Sequence, residues 1–128
     1  MKLLLDTHIL LWAAAGNLPY EAARYVENRE NTLLFSSASI WEIVIKRSLG
    51  RADFIVDPAS LHSGLLGAGY QELPIIGKHS LLVGALPTIH KDPFDRILLA
   101  QAASEGIPLL TSDEILSQYP GSVIFVPS

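Results

Sequence analysis

The chain opens with Lys2-Leu3-Leu4-Leu5-Asp6, a short unbroken apolar run that stops at a carboxylate. A run of this length without alternation predicts a strand covered on both faces, as in a parallel sheet. Thr7 to Ala15 then reads as a helix ended by Gly16. Helical spacing returns from Pro19 to Glu30, with Ala22, Ala23 and Val26 as its apolar positions and the proline in the first turn. Thr32-Leu33-Leu34-Phe35 predicts a second strand, and Ser39 to Leu49 a third helix stopped by Gly50. Asp57-Pro58 opens a helix reaching about Gly67, Tyr70 to Ile75 predicts a short third strand, and Gly77 to Leu86 a helix ended before Pro87. The clearest helix runs from Pro93 to Glu105. Its apolar positions Phe94, Ile97, Leu98 and Ala102 follow i, i+3, i+4 spacing, Asp92-Pro93 opens it and Gly106 closes it. Leu109-Leu110 gives another buried strand, Ser112 to Tyr119 a short helix, and Ser122 to Val126 a last strand.

Strands alternating with helices predict an α/β fold, a three-layer sandwich around a central, mostly parallel sheet. Neither a repeat nor a linker interrupts the pattern, so residues 1–128 read as a single domain. Composition narrows the class. Apolar residues make up 49% of the chain and charged residues 17%, which excludes a disordered chain. With no cysteine, a disulfide framework and thiolate zinc sites are excluded, and a reducing compartment fits. The apolar start superficially resembles a secretory signal, but Asp6 and His8 interrupt it. The apolar run Ile9 to Ala15 is also far shorter than the roughly 20 residues that span a bilayer. A soluble, cytoplasmic protein without a membrane segment is expected. The net charge of −4 argues against holding nucleic acid by bulk positive charge.

In open parallel sheets, ligands gather at the carboxyl ends of the strands. Four acids stand at predicted strand ends or helix starts: Asp6, Glu42, Asp95 and Asp113. Two carboxylates about 5 Å apart repel by roughly 3 kcal/mol at an effective dielectric of 20. Four of them brought together must either take up protons or bind a divalent cation. Oxygen ligands without Cys or His favour Mg²⁺ or Mn²⁺ over zinc, and Mg²⁺ keeps waters suited to phosphodiester hydrolysis. Taken singly, each acid also has a structural reading. Asp6 suits a helix cap, Ser39-Ile40-Trp41-Glu42 has the form of a capping box, Asp92 is a natural cap, and Asp95 and Asp113 suit first helical turns. The residues alone leave both readings open.

Four blocks carry a resemblance: Leu3-Leu4-Leu5-Asp6-Thr7-His8, Ser39-Ile40-Trp41-Glu42-Ile43, His90-Lys91-Asp92-Pro93-Phe94-Asp95-Arg96 and Leu109-Leu110-Thr111-Ser112-Asp113. In order and separation they resemble the PIN-domain ribonucleases, and among them the VapC-type toxins of type II toxin–antitoxin systems. The resemblance covers nearly the whole chain. It implies an endoribonuclease that blocks translation by cutting RNA, with Mg²⁺ (or Mn²⁺) held by Asp6, Glu42, Asp95 and Asp113, of which Asp6 and Asp95 are the firmest ligands. It further implies that Thr111 or Ser112 supports the activated water by hydrogen bonding, and that cleavage leaves a 5′-phosphate and a 3′-hydroxyl. Its implied partners are the RNA substrate, a cognate antitoxin laid over the crevice, and a second copy of the chain in a homodimer. One departure is His8, where many relatives carry a small polar residue.

With the four acids set aside, nine acidic and nine basic residues remain, a neutral scaffold. Lys46, Arg47, Arg51, Lys78 with His79, and Lys91 are candidates for phosphate contacts, and Arg96, directly after Asp95, for the electrostatics of the site. So weak a positive surface predicts selection of RNA by shape or by single-stranded loops. Trp12 and Trp41 lie in apolar helix sequence and are expected to pack in the core or an interface rather than stack on bases. Haloacid-dehalogenase-like chemistry needs a second Asp two places after the first, where His8 stands. The competing reading is a non-enzymatic, receiver-like or protein-binding α/β module whose acids are helix caps. A receiver-like module would pair acids near the first strand and place a lysine after the last, and neither is present.

Overall fold

Leu3, Leu4 and Leu5 are fully buried, and they serve two different layers of the core. In the computed structural model, which describes all 128 residues Met1–Ser128, they belong to the first strand, β1 (Lys2–Leu5). Successive side chains of a strand point to opposite faces. Leu3 and Leu5 therefore join one cluster with Ile9, Phe35, Ile43 and Leu61, while Leu4 joins another with Leu98, Leu99, Leu109 and Leu116. A strand with both faces in apolar layers has no room for a polar position, which is why the run does not alternate.

The remaining strands are β2 (Thr32–Ser36), β3 (Gln71–Leu73), β4 (Leu109–Thr111) and β5 (Val123–Phe125). They form one sheet in the order β3-β2-β1-β4-β5, and every neighbouring pair is parallel. Helices α1 (Thr7–Ala15), α2 (Tyr20–Val26), α3 (Ser37–Ser48) and α4 (Pro58–Gly67) connect the strands from β1 to β3, and all four contribute to the first cluster. The return from β3 to β4 runs through α5 (Gly77–Val83) and α6 (Pro93–Glu105), and α6 supplies the second cluster with a 3₁₀ turn at Glu114–Gln118. The result is the expected α/β three-layer sandwich.

From β1 the chain steps outward to β2 and β3, then crosses back to β4 on the other side of β1. The connections leaving β1 and β4 thus diverge, opening a crevice beyond their carboxyl ends. Several boundaries differ from the pattern-based expectation. The sheet is entirely rather than mostly parallel. Helix α2 stops at Val26 instead of Glu30, because Asn28 and Asn31 turn the chain: Asn28 Oδ1 accepts from the Glu30 amide and the Asn31 side chain donates to the Tyr25 carbonyl. Helix α3 starts at Ser37, two residues before Ser39, with the Ser36 hydroxyl accepting from the Ala38 amide at 3.0 Å. The expected helix from Ser112 to Tyr119 is only the 3₁₀ turn, capped by Asp113.

Leu4 links the central strand to the second core layer. Leu4→Ala is expected to cost about 2–5 kcal/mol, as large-to-small changes in packed cores do. A urea titration should show a lower midpoint with an unchanged slope; an unchanged midpoint would show that this layer is not tightly packed.

Candidate active site

Asp6 leaves β1 as the cap of α1, where its Oδ1 accepts the Ile9 amide at 3.1 Å. Its Oδ2 accepts the Thr111 hydroxyl from the end of β4. The same Thr111 oxygen accepts the Asp113 amide at 3.0 Å, so one hydroxyl ties the acids of two adjacent strands. Burial pushes the Asp6 carboxyl above the usual carboxylate range, against the opposing pull of the Thr111 and Ile9 hydrogen bonds. Ser112, between these two residues, is half-buried and makes no side-chain hydrogen bond.

Glu42 lies in the second turn of α3 and is only 3% exposed. Its Oε1 accepts the Thr7 hydroxyl at 2.6 Å, and its Oε2 accepts Lys46 Nζ at 2.5 Å. Ser39 is not the other half of a capping box. The helix begins before it, and its hydroxyl sits 2.9 Å from that of Thr7. Lys46 stands one turn after Glu42, with Nζ also 3.5 Å from Asp92 Oδ2 and above the rings of Phe54 and Phe94. Burial works against its charge, but Glu42 and Asp92 more than offset this and hold the ammonium above its ordinary range.

Asp92 caps α6 through the Phe94 amide at 2.9 Å, and Pro93 fixes the first turn. That start places Asp95 on the crevice side of α6. Burial, followed by the charges of Asp92, Glu42, Asp6 and Asp113, raises its pKa to about 8. Asp113 is the most accessible of the four. Its Oδ1 caps the 3₁₀ turn at the Ile115 amide, 3.0 Å away, and its Oδ2 turns toward His90. The four acids proposed from the sequence are therefore within electrostatic reach of one another, beyond the ends of β1 and β4.

His90 is a member of this cluster that the acid pattern alone did not single out. Its Nε2 lies 3.1 Å from Asp95 Oδ2 and 3.4 Å from Asp113 Oδ2, and the three groups offer ligand atoms within 4.8 Å of one another. The available signal was its place two residues before a cap whose geometry proline fixes. Arg96 requires a correction. It does not turn to the acids but donates to the carbonyls of Pro87, Val83, Leu86 and His90 and to the Tyr119 hydroxyl, tying down the loop after α5. Of the other basic candidates, Arg47 pairs with Asp57, Arg51 with Asp53, and His79 is buried against Glu105. Only Lys46 reaches the acids. His8 pairs with Asp53 at 3.2 Å and packs edge-on to Phe54. Trp12 packs at the margin of the first cluster, whereas Trp41 is 59% exposed. Its ring meets Phe94 edge-on at 5.2 Å and walls a groove of about 420 Å³ with Ile75, Val83 and Pro93.

The donor set fits a hard divalent cation. It includes carboxylate oxygens at the mouth of a crevice, where burial and then the charges of Asp92, Glu42, Asp6 and Asp113 oppose the ionisation of Asp95, a charge that a cation would favour.

Comparison with known proteins agrees with this architecture. The PIN domain family matches residues 3–122, and the chain belongs to that family. No curated protein matches the sequence at a significant level. Among solved structures, VapBC2 from Rickettsia felis, bound to a DNA fragment from its promoter, superposes with a TM-score of 0.75 at 18% identity, covering 98% of this chain and 99% of that one. DNA-bound VapBC from Salmonella typhimurium gives 0.70 at 17% identity, with 98% of each chain covered. VapC20 from Mycobacterium tuberculosis, described as a Sarcin-Ricin loop cleaving toxin, gives 0.63 at 14% identity, covering 90% of this chain and 92% of that one. At these identities the likeness is one of fold.

The raised pKa of Asp95 has a sign that can be checked. Unfolded, Asp95 ionises near 3.8; folded, near 8. Below the lower value both states are protonated. Between the two values the unfolded chain gives up its proton first, so metal-free stability falls as pH rises. Asn cannot ionise, so Asp95→Asn is expected to melt higher than the parent at pH 8–9 in chelator, the gap closing toward pH 4. Relieving even a quarter of the displacement is worth about 1.4 kcal/mol, or ~4 °C in Tm. A variant melting lower than the parent at pH 8 would contradict this electrostatic picture.

Proposed function

We propose that this PIN domain is the toxin of a type II toxin–antitoxin pair, an endoribonuclease dependent on Mg²⁺, with Mn²⁺ an alternative. Asp6, Glu42, Asp95 and Asp113 would hold the cation, Asp6 and Asp95 most directly. The observation that carries this reading is Asp95, whose ionisation the fold opposes through burial and through four surrounding carboxylates. A fold that needed these acids only as caps would not converge them.

The cation supplies Lewis acidity toward the phosphodiester and activates water for attack at phosphorus. The chain's own residues set the geometry. Thr111 fixes one oxygen of Asp6 and the backbone of Asp113, and the Ile9 amide fixes the other oxygen of Asp6. Thr7 and Lys46 hold the two oxygens of Glu42, and Lys46 keeps positive charge beside the acids where phosphate approaches. Structural neighbours that are toxin–antitoxin complexes support an antitoxin partner, and the neighbour described as cleaving the Sarcin-Ricin loop supports an RNA loop as substrate. Arg47 and Arg51 are paired with Asp57 and Asp53, which supports recognition by shape rather than bulk charge. Exposed apolar side chains such as Trp41, Val44 and Leu81 support protein partners, the antitoxin and a second copy among them. No helix is long and apolar enough to cross a membrane, and the expected site of action is the cytoplasm.

The capping-module alternative accounts for Asp6, Asp92 and Asp113, which all cap helices or turns. It does not account for Glu42, which lies inside α3, or for Asp95. The two readings separate in one assay: the protein and Asp6→Asn are incubated with total cellular RNA, with Mg²⁺ or with chelator. Mg²⁺-dependent cleavage giving 5′-phosphate ends is expected, reduced about 10²-fold or more by the substitution. Cleavage that survives both the substitution and chelation would remove the metal site.

A further inference from the structure

His90 has the spacing of a metal ligand but the hydrogen bonding of something else. Its ring Nδ1 accepts the Asp92 amide at 3.1 Å. A nitrogen that accepts bears no hydrogen, so the ring's hydrogen is on Nε2. That nitrogen lies 3.1 Å from Asp95 Oδ2 and 3.4 Å from Asp113 Oδ2, beside both acids but not in line for a full hydrogen bond to either. While Nδ1 is engaged in this way, Nε2 has no free lone pair to offer a cation.

The backbone that carries the ring is held on both sides. The His90 amide donates to the Tyr119 hydroxyl at 2.6 Å, and its carbonyl accepts from that hydroxyl and from Arg96 Nη1. Arg96 also gathers the carbonyls of Val83 and Pro87, so the segment leading to His90 is fixed from α6. Asp95 and Asp113 meanwhile come from different elements, α6 and the turn after β4, and their like charges favour separation. A polarised N–H beside one oxygen of each counters this by its dipole, and the second oxygen of Asp113 is already held by the Ile115 amide.

We infer that His90 is a positioning residue, clamping Asp95 and Asp113 side by side through its Nε2–H so that both face a single divalent cation. The inference rests on the metal-dependent reading of the site. In that reading His90 acts outside the ligand set, in the manner of groups that orient metal-binding side chains.

The test is binding of Mn²⁺ to the metal-free protein, followed by loss of the free-ion EPR signal, in the parent, His90→Ala, His90→Gln and His90→Asn. The Gln amide places a donor near the position of Nε2, whereas that of Asn lies nearer Nδ1 and falls short of the acids. His90→Ala and His90→Asn are expected to weaken Mn²⁺ binding about 10-fold or more, and His90→Gln to recover most of the loss. A residue that merely supports the loop would not separate Gln from Asn, and both polar variants keep the comparison usable if the Ala variant folds poorly. Pulsed EPR of the parent complex should lack the nitrogen coupling of a directly bound imidazole. Equal affinity across all four proteins would overturn the inference, as would an imidazole coupling that disappears in the variants, since His90 would then be a ligand. A parent protein that binds no Mn²⁺ would remove the metal-dependent reading itself, and this inference with it.

Discussion

Carboxylates that converge on one point repel, and the fold has to hold Asp6, Glu42, Asp95 and Asp113 in place against that repulsion. It does so largely with neutral donors. Thr7, Thr111 and the Ile9 and Ile115 amides direct hydrogens at carboxylate oxygens, the His90 ring lies beside two of the acids, and Lys46 is the one cation among them. Hydrogen bonds to a carboxylate favour its charged form without adding a full opposing charge. The cluster is thus organised but not neutralised. Burial, together with the charges left around it, raises the pKa of Asp95.

The topology explains why the acids meet at all. β1 is the middle strand of five, and β4 lies beside it only because the chain returns across the sheet through α6. Asp6 and Thr111 come from those two adjacent strands, Glu42 from the helix after β2, and Asp95 from the returning helix itself. Residues more than one hundred positions apart, such as Asp6 and Thr111, are therefore hydrogen-bonded partners. The acidity that first counted against nucleic-acid binding is concentrated where it has a local use, while the rest of the chain carries balanced charge.

Much of this was legible in the sequence because it depends on local rules. Unbroken leucines gave away β1, and Asp92-Pro93 with Gly106 bounded α6 closely. The misreading of Arg96 arose where neighbours in sequence diverge in space. Consecutive helical residues are about 100° apart around the axis, so with Asp95 and Glu42 facing the crevice, Arg96 and Trp41 face elsewhere. Arg96 reaches loop carbonyls and Trp41 solvent. The start of α3 was ambiguous for another reason. Ser36, Ser37 and Ser39 can each cap a helix, and the long-range contact between Thr7 and Ser39 takes the last of them out of that role. His90 was invisible to a search for acids, because its part depends on Tyr119, twenty-nine positions away.

The sheet ends in two very short strands. β3 and β5 have three residues each, and their outer edges offer few unpaired backbone groups. An edge this brief is a poor template for an added strand. Another polypeptide joining this molecule cannot readily do so by lengthening the sheet, where backbone pairing is largely indifferent to sequence. It must instead fit side chain to side chain against the helices. Association is thereby confined to partners whose surface shape matches, a selectivity that comes from the smallest elements of the fold.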